Sequence, residues 1–151
     1  MNATNDEPAE RFTVKTTADS HFSWIRTRLS MERTLMAWVR TAVSLIGFGF
    51  TIVQFFERLQ DMQGVAPAAR PGAPRYLGLA LIASGVLVLL ISVWQYRGGV
   101  RYLWSDQFKP LSGFDAGPMK PVVEQTPALA VSLTLIFIGL FAFFAVATRM
   151  V

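Results

Sequence analysis

Two long uncharged segments constrain this chain more than any other feature of its sequence. No charged residue lies between Arg75 and Arg97 or between Glu124 and Arg149, which leaves uncharged runs of 21 and 24 residues. A helix of about 20 predominantly apolar residues crosses the hydrocarbon core of a bilayer. The sequence therefore predicts two transmembrane helices.

A third apolar segment is shorter and begins beside charged residues. Residues 41–56 form an uncharged run of 16, which reaches the length of a span only if its helix continues back through Arg40 towards Arg33. We therefore predict an all-α integral membrane fold, a bundle of three transmembrane helices at about residues 24–57, 75–97 and 126–148. Residues 1–20 are expected to form a disordered tail and residues 21–151 the membrane domain.

Aromatic and small residues add detail to this prediction. The aromatic residues expected at headgroup depth are Trp24, Trp38, Tyr76, Trp94 and Tyr96. Ser20 or Ser23 is expected to cap a first helix that lies along the interface before it turns into the membrane. Small residues that recur every seven positions predict close helix packing. We expect the same packing role for the glycines in the middle of helix one. These residues are Gly78, Gly85 and Ser92 on helix two, Ser132 and Gly139 on helix three, and Gly47 and Gly49 on helix one.

Composition excludes several classes of function. The chain has no cysteine and one histidine, His21, so thiol chemistry, disulfides and a histidine metal cluster are excluded. It has no Ser-His-Asp set and no phosphate-binding glycine loop. The first 20 residues lack the apolar core of a secretory signal peptide. We therefore expect a protein that is not an enzyme and needs no cofactor.

The distribution of Lys and Arg predicts the orientation of the bundle. Of the 14 basic residues, six lie in the N-terminal segment up to Arg40 and four in the connection after helix two, on the same side of the membrane. Because basic residues concentrate on the cytoplasmic side, the N-terminus is predicted inside and the C-terminus outside. The net charge of +4 is explained in this way without a nucleic-acid partner.

Three arginines in helix one recur every seven residues. Arg26, Arg33 and Arg40 lie nearly on one line, because seven residues fall only about 20° short of two helical turns. The positions between and beyond them are small or polar, and we call all eight the arginine stripe: Arg26, Ser30, Arg33, Ala37, Arg40, Ser44, Gly47 and Thr51. Large apolar residues are expected on the opposite side: Leu29, Met36, Val39, Val43, Ile46 and Phe50.

The position of each arginine is open to two interpretations. An arginine within hydrocarbon costs at least about 2.5–3.5 kcal/mol, so such residues usually face a bundle interior or a wet cavity. Alternatively, a long side chain near a helix end can extend to the headgroups. We expect the second behaviour for Arg26 and an interior position for Arg40.

Further charges lie near the stripe. Arg28 precedes Glu32 by one helical turn, so the two can form a structural ion pair, although Arg97 and Arg101 at the end of helix two are alternative partners. The candidate anion-binding or pore-lining residues are Arg26, Arg33, Arg40, Arg97 and Arg101. Such a cluster attracts phosphate and other anions, or the headgroups of anionic lipids.

The segment "LSMERTLMAWVRTAVSLIGFGF" resembles the signature of the YidH-type bacterial inner-membrane proteins, a family described as domain of unknown function 202. That pattern is E-R-T, an aromatic residue, L-A-W, one variable residue, R-T, and an apolar run ending in G-F-G. The matching residues are Glu32, Arg33, Thr34, Ala37, Trp38, Arg40 and Thr41, while Leu35 and Met36 replace the aromatic–Leu pair. The resemblance extends from Trp24 to the C-terminus and implies a bacterial inner membrane.

The same domain is similar to the membrane part of the eukaryotic vacuolar transporter chaperone complex. That resemblance implies three-helix domains assembled around a basic pore that passes polyphosphate. An arginine after an aromatic residue at the end of helix two, and another four residues on, match Arg97 and Arg101. The chain lacks the polymerase and phosphate-sensing domains of that complex, and its Arg40 stands where the vacuolar proteins often have no charge.

Two hypotheses for function follow. In the first, several copies form a homo-oligomer whose basic lumen or cytoplasmic vestibule binds anions of the phosphate or polyphosphate type. In the second, the chain is a non-conducting accessory or scaffold protein whose arginines hold anionic lipid or a partner membrane protein. Both place the chain in the lipid bilayer, and they differ in what the arginine stripe faces.

Overall fold

Three long helices make up the fold. A computed structural model describes residues 14–60, 62, 72–113 and 126–148. Within these ranges the helices are α1 (Ala18–Gln60), α2 (Ala73–Leu103) and α3 (Pro127–Thr148), with a short 3-10 helix at Lys109–Ser112. All three α-helices are long and apolar enough to cross a membrane. The predicted all-α membrane fold is therefore confirmed.

Helix α1 begins six residues before the predicted start at residue 24. Thr17 and Ser20 exchange hydrogen bonds across the first turn: the Ser20 amide donates to Thr17 Oγ1 at 3.2 Å, and the Thr17 amide donates to Ser20 Oγ at 2.9 Å. This reciprocal pair is a capping box with serine in the place of glutamate. The prediction of a disordered tail through residue 20 is thus wrong for Ala18–Ser20, and residues 1–13 lie outside the described part of the chain.

Helix α1 also contains no turn between an interfacial part and a membrane part. Its 43 residues form one helix about 65 Å long, roughly twice the thickness of a hydrocarbon core. The expected change of direction between an interfacial part and a membrane part is therefore wrong. The helix must extend well beyond the membrane on at least one side.

Helix α2 ends at Leu103 rather than near residue 97, because Gly98 and Gly99 do not interrupt it. Gly99 has a packing role, since a Cβ there would collide with the end of the Met31 side chain on α1. Helix α3 begins one residue after the predicted position, with Pro127 in its first turn. At its other end, Arg75 Nη2 donates to the Val146 carbonyl oxygen at 2.7 Å.

Helices α1 and α2 pack through small residues, as the seven-residue repeat predicts. A Cβ on Gly49 would lie 2.6 Å from the Gly78 carbonyl oxygen, and one on Gly85 would lie 2.9 Å from the Ala42 carbonyl oxygen. The two backbones touch at these positions, which only small residues permit. Gly139 allows α3 to approach in the same way, because a Cβ there would lie 2.7 Å from Val86 Cγ2.

Two aromatic residues predicted at headgroup depth belong to the core instead. Tyr96 is 5% exposed, and its hydroxyl lies 3.0 Å from Thr126 Oγ1 at the start of α3. Trp24 is 4% exposed, and its Nε1 donates to the Leu103 carbonyl oxygen at 3.1 Å. Both rings combine a large apolar surface with a satisfied polar group, which suits a core as well as an interface.

Trp24 belongs to a cluster that joins the start of α1 to the segment after α2. We call this cluster the aromatic clasp: His21, Trp24, Leu103, Trp104 and Leu111. The Trp24 and Trp104 rings meet edge to face, with centroids 5.6 Å apart, and His21 Nδ1 lies 2.7 Å from the Leu111 carbonyl oxygen. The clasp fixes the N-terminal end of the bundle, where α1 begins, α2 ends and α3 begins.

Candidate functional site

The arginine stripe lies on an exposed side of α1, at whose edges the described parts of α2 and α3 come near. All eight residues of the stripe are exposed. The side of α1 that packs within the subunit is diametrically opposite and consists of Leu35, Val39, Ala42, Ile46, Gly49 and Val53. The polar side of α1 therefore faces away from its own bundle.

The predicted apolar side of α1 divides into two parts. Val39 and Ile46 are buried in the bundle, but the other predicted residues are exposed. The exposed ones form a second seven-residue repeat, extended by Phe22, which we call the apolar series: Phe22, Leu29, Met36, Val43 and Phe50, with exposed fractions of 42–58%. By helix geometry this series lies about 60° to one side of the arginines.

A third repeat lies on the other side of the arginines and was missed by sequence reasoning. Thr27, Thr34 and Thr41 each follow an arginine, and all three are exposed. Their hydroxyls donate to the carbonyl oxygens four residues earlier, at 2.9, 3.0 and 3.3 Å. The signal was present in the sequence, because these threonines have the same spacing as the arginines.

The C-terminal half of the stripe lies on a helix face that is less polar than the sequence predicts. Ser44, Phe48, Thr51 and Phe55 share one face of α1, since they are spaced by four and three residues. Phe48 is 67% exposed and Phe55 is 58% exposed. Gly47 is open as well, with nothing within 4 Å of a Cβ placed there, so its expected packing role is wrong.

Glu32 pairs with Arg28, within α1. Arg28 Nε lies 3.7 Å from Glu32 Oε1, and both side chains are largely covered, at 18% and 27% exposure. The Arg28 guanidinium also lies 5.9 Å from the centroid of the Trp24 ring, within the range of a cation–π contact. Within the described chain, Glu32 makes this ion pair and none with Arg97 or Arg101.

The five candidate arginines do not form one cluster within the subunit. Arg33 and Arg40 line a groove of about 460 Å³ between α1 and α3, together with Glu32 and Ala128. Arg97 and Arg101 line a second groove of about 500 Å³ between α2 and α3. The two grooves share no residue, and the first turns of α3 separate them. We call them the α1–α3 groove and the α2–α3 groove.

The site carries charge, but its described residues include no cluster suited to a metal ion. Among the described residues, no three of His, Cys, Asp and Glu come close enough to hold a metal ion. His21 is occupied in the aromatic clasp rather than at the stripe. What the arrangement offers chemically is a row of guanidinium groups on one exposed helix face, which suits the binding of oxyanions.

The fold and the site define a class: a small membrane protein of three spanning helices that presents an arginine-rich face. The chain belongs to the family described as "Domain of unknown function (DUF202)", whose sequence profile matches residues 23–102, just over half of the chain. All the candidate arginines lie within this match, whereas α3 lies beyond it, so the matched part is shorter than the resemblance predicted. Comparisons with curated proteins and with solved structures give no match.

Proposed function

We propose that this protein is a multi-pass protein of the bacterial inner membrane, of the YidH type, whose copies assemble around a basic cytoplasmic vestibule that binds phosphate-type anions. Its N-terminus lies in the cytoplasm and its C-terminus outside. One observation carries the proposal: the arginine stripe is exposed on the side of α1 opposite the packed face. No catalytic activity and no cofactor is part of the proposal.

The energetic argument concerns Arg40. Residues 41–56 after it are uncharged and suited to lipid, so Arg40 lies at or within the boundary of the hydrocarbon. An arginine facing lipid costs about 2.5–3.5 kcal/mol at the centre of a spanning helix and less towards its end, so Arg40 bears part of this cost. Contact with water or with another copy of the chain removes this cost. Three helices cannot enclose such a cavity alone, which is why the proposal requires several copies.

The two series beside the arginines support a closed ring. If the arginines face a central axis, the apolar series of one copy meets the threonines of the next, because the two series lie on opposite sides of the stripe. Such head-to-tail contacts generate rings. Repeats of seven residues favour helices that wind around one another with a left-handed twist, and threonines leave room for the larger side chains.

The outer half of α1 favours a vestibule over an open channel. In the same ring, Phe48 and Phe55 are on the same helix face as Ser44 and Thr51 and would narrow the lumen towards its outer end. Apolar constrictions of this kind exclude water and ions. We therefore place the bound anion near Arg33 and Arg40. The resemblance to the vacuolar transporter chaperone complex supports polyphosphate as the anion.

Cysteine cross-linking tests the assembly. The chain has no cysteine of its own, so a Thr34→Cys, Met36→Cys double variant provides two defined sites that cannot meet within one helix. The ring predicts a ladder of cross-linked species up to the full ring, since residue 34 of one copy faces residue 36 of the next. Either single variant, or Phe137→Cys on α3, should give monomer. Efficient dimers from Thr34→Cys alone would contradict the ring.

Anion binding tests the function. The purified protein in vesicles should bind polyphosphate, and the Arg33→Glu, Arg40→Glu double variant should not. The Arg97→Glu, Arg101→Glu variant is the matched control and should retain binding, because its groove lies apart from the stripe. A flux assay on the same vesicles separates a vestibule from a channel. Equal anion binding by the native protein and the Arg33→Glu, Arg40→Glu variant would contradict the proposal.

The second candidate is a non-conducting accessory protein that binds a partner membrane protein or anionic lipid through α1. The observation that favours it is the exposure of Phe48 and Phe55 beside the stripe, since these residues suit a protein contact as well as a closed lumen. A stoichiometric partner in a mild-detergent purification, together with no cross-linked ladder from the Thr34→Cys, Met36→Cys variant, would support this alternative.

A further inference from the structure

We propose that the α2–α3 groove binds an anionic phospholipid, with the lipid phosphate between Arg97 and Arg101 and an acyl chain along α3. This site goes beyond the proposed vestibule and does not depend on it. It is formed by one subunit, lies on the opposite side of α3 from the α1–α3 groove, and shares no residue with that groove.

The polar part of the groove suits a phosphate group. Arg97 and Arg101 are one helical turn apart on α2, so both guanidinium groups point to the same side, and both side chains are exposed. Guanidinium groups bind phosphate oxygens through paired hydrogen bonds. Thr126 lines the same groove at the start of α3, where the positive end of the helix dipole adds to the attraction.

The remaining lining of the groove is apolar. It consists of Val100, Leu129, Ala130 and Leu133. A free phosphate gains nothing from such a surface, whereas an acyl chain does. This division between a charged part and an apolar part favours a lipid over a soluble anion.

The charged part and the apolar part of the groove lie at the depths of a lipid headgroup and of its acyl chain, respectively. The hydrogen bond between Tyr96 and Thr126 places the start of α3 level with residue 96 of α2. Arg97 is therefore at that level, and Arg101 lies about 6 Å further towards the N-terminal end of the bundle. Leu129 and Leu133 lie about 4 and 10 Å in the other direction, towards the membrane centre. Basic pockets between spanning helices on the cytoplasmic side are typical sites for anionic headgroups.

The groove is held open by its own core. Tyr96 and Thr126 are 5% and 6% exposed, and their hydrogen bond fixes α2 against α3 beneath the arginines. The site is therefore formed before a lipid binds. Preformed sites bind more tightly because less conformational entropy is lost.

Native mass spectrometry of the full-length protein in mild detergent tests the site, with titrations of phosphatidylglycerol, phosphatidylcholine and inorganic phosphate. Phosphatidylglycerol should bind in preference to phosphatidylcholine. The Arg97→Gln, Arg101→Gln variant should bind it about 30-fold more weakly, as two lost headgroup contacts predict. Arg97→Lys, Arg101→Lys should recover part of the affinity. The control Arg58→Gln, at an exposed arginine on the last turn of α1, should leave lipid binding unchanged.

A change in the apolar lining distinguishes a lipid from a free anion. Leu133→Asn should weaken phosphatidylglycerol binding. Inorganic phosphate should not compete with the lipid for the site. If Leu133→Asn changes nothing and inorganic phosphate competes with the lipid, the site takes a soluble anion and the proposal is wrong. Unchanged lipid affinity in the Arg97→Gln, Arg101→Gln variant would also overturn it. Loss of polyphosphate binding in the Arg33→Glu, Arg40→Glu variant reports on the vestibule alone, so the two proposals fail separately.

Discussion

Helices α1 and α3 both pack one side against the same bundle, but the sides that they leave exposed have opposite chemistry. The exposed residues of α3 include Phe137, Phe141 and Phe144, at 73%, 77% and 61% exposure, and α3 carries no charge. The exposed side of α1 carries the arginine stripe and the threonines. A helix that faces lipid has the composition of α3, and this difference is what the proposed assembly explains, since it gives the N-terminal half of α1 surroundings other than lipid.

The polar groups of α3 show how a lipid-facing helix accommodates hydroxyls. Ser132 is buried and donates to the Ala128 carbonyl oxygen at 2.7 Å, and Thr134 donates to the Ala130 carbonyl oxygen at 3.0 Å. The threonines of α1 are satisfied in the same way, so they alone would be compatible with lipid. The arginines make the difference, because a guanidinium group cannot be satisfied by its own helix backbone.

The largest expected effect comes from giving α3 the chemistry of α1. Phe137→Arg places a charge at the centre of α3, where insertion costs about 2.5–3.5 kcal/mol. Ser44→Arg places the same charge on the stripe and should cost much less, because the proposed assembly turns the stripe towards water or another copy. The yield of folded, monodisperse protein after mild-detergent extraction measures both. If the two variants reduced the yield of folded protein equally, the exposed sides of α1 and α3 would not differ in what they face.

A second comparison is between the packed and open sides of α1 itself. Gly49→Ala should destabilise the bundle by about 1–3 kcal/mol, the usual cost of overpacking, because the new Cβ would lie within 3 Å of α2. Gly47→Ala is the control two residues away and should be neutral or stabilising by up to about 1 kcal/mol, through helix propensity. Unfolding in a denaturing-detergent titration gives both values. If Gly47→Ala destabilised the bundle more than Gly49→Ala, α1 would be rotated about its axis relative to the orientation described.

A smaller effect concerns how α3 is attached to α2. Tyr96→Phe removes the hydrogen bond to Thr126 and keeps the ring, so it should cost about 1 kcal/mol. Tyr76→Phe, at a tyrosine that is 64% exposed, should leave the unfolding free energy unchanged. Thermal unfolding in detergent compares the two. Equal stability of both variants would show that this bond contributes nothing to the position of α3.

The smallest expected effect is at the Arg28–Glu32 ion pair. Its side chains are partly accessible and one turn apart, so the coupling free energy should be about 0.3–0.5 kcal/mol. A double-mutant cycle with Arg28→Gln and Glu32→Gln isolates it, and added salt should reduce it. A coupling above about 2 kcal/mol would show that solvent screens this ion pair much less than the exposure of its side chains suggests.

The helices were predictable because each signal is local. The absence of charge between Arg75 and Arg97 determines a span, and the spacing of Gly78, Gly85 and Ser92 reports which side of α2 packs. The early start of α1 was less evident, because Thr17 and Ser20 form a cap only through their mutual hydrogen bonds. A tryptophan or tyrosine has the same apolar ring and polar group whether it lies at the interface or in the core. The sequence therefore did not show that Trp24 and Tyr96 belong to the core.

The candidate site was predictable only in part. The arginine stripe depends on the period of one helix, and the structure leaves it exposed as one face. The relation of Arg33 and Arg40 to Arg97 and Arg101 depends instead on where α3 lies between α1 and α2. No pattern along the chain carries that information, and so a single predicted cluster proved to be two grooves.

The unbroken length of α1 has a mechanical consequence. A rod of about 65 Å is held at one end by the aromatic clasp and further along by the close contacts of Ala42 and Gly49 with α2. A displacement of the clasp is therefore expected to move α1 and α2 together, because no hinge within either helix can absorb it.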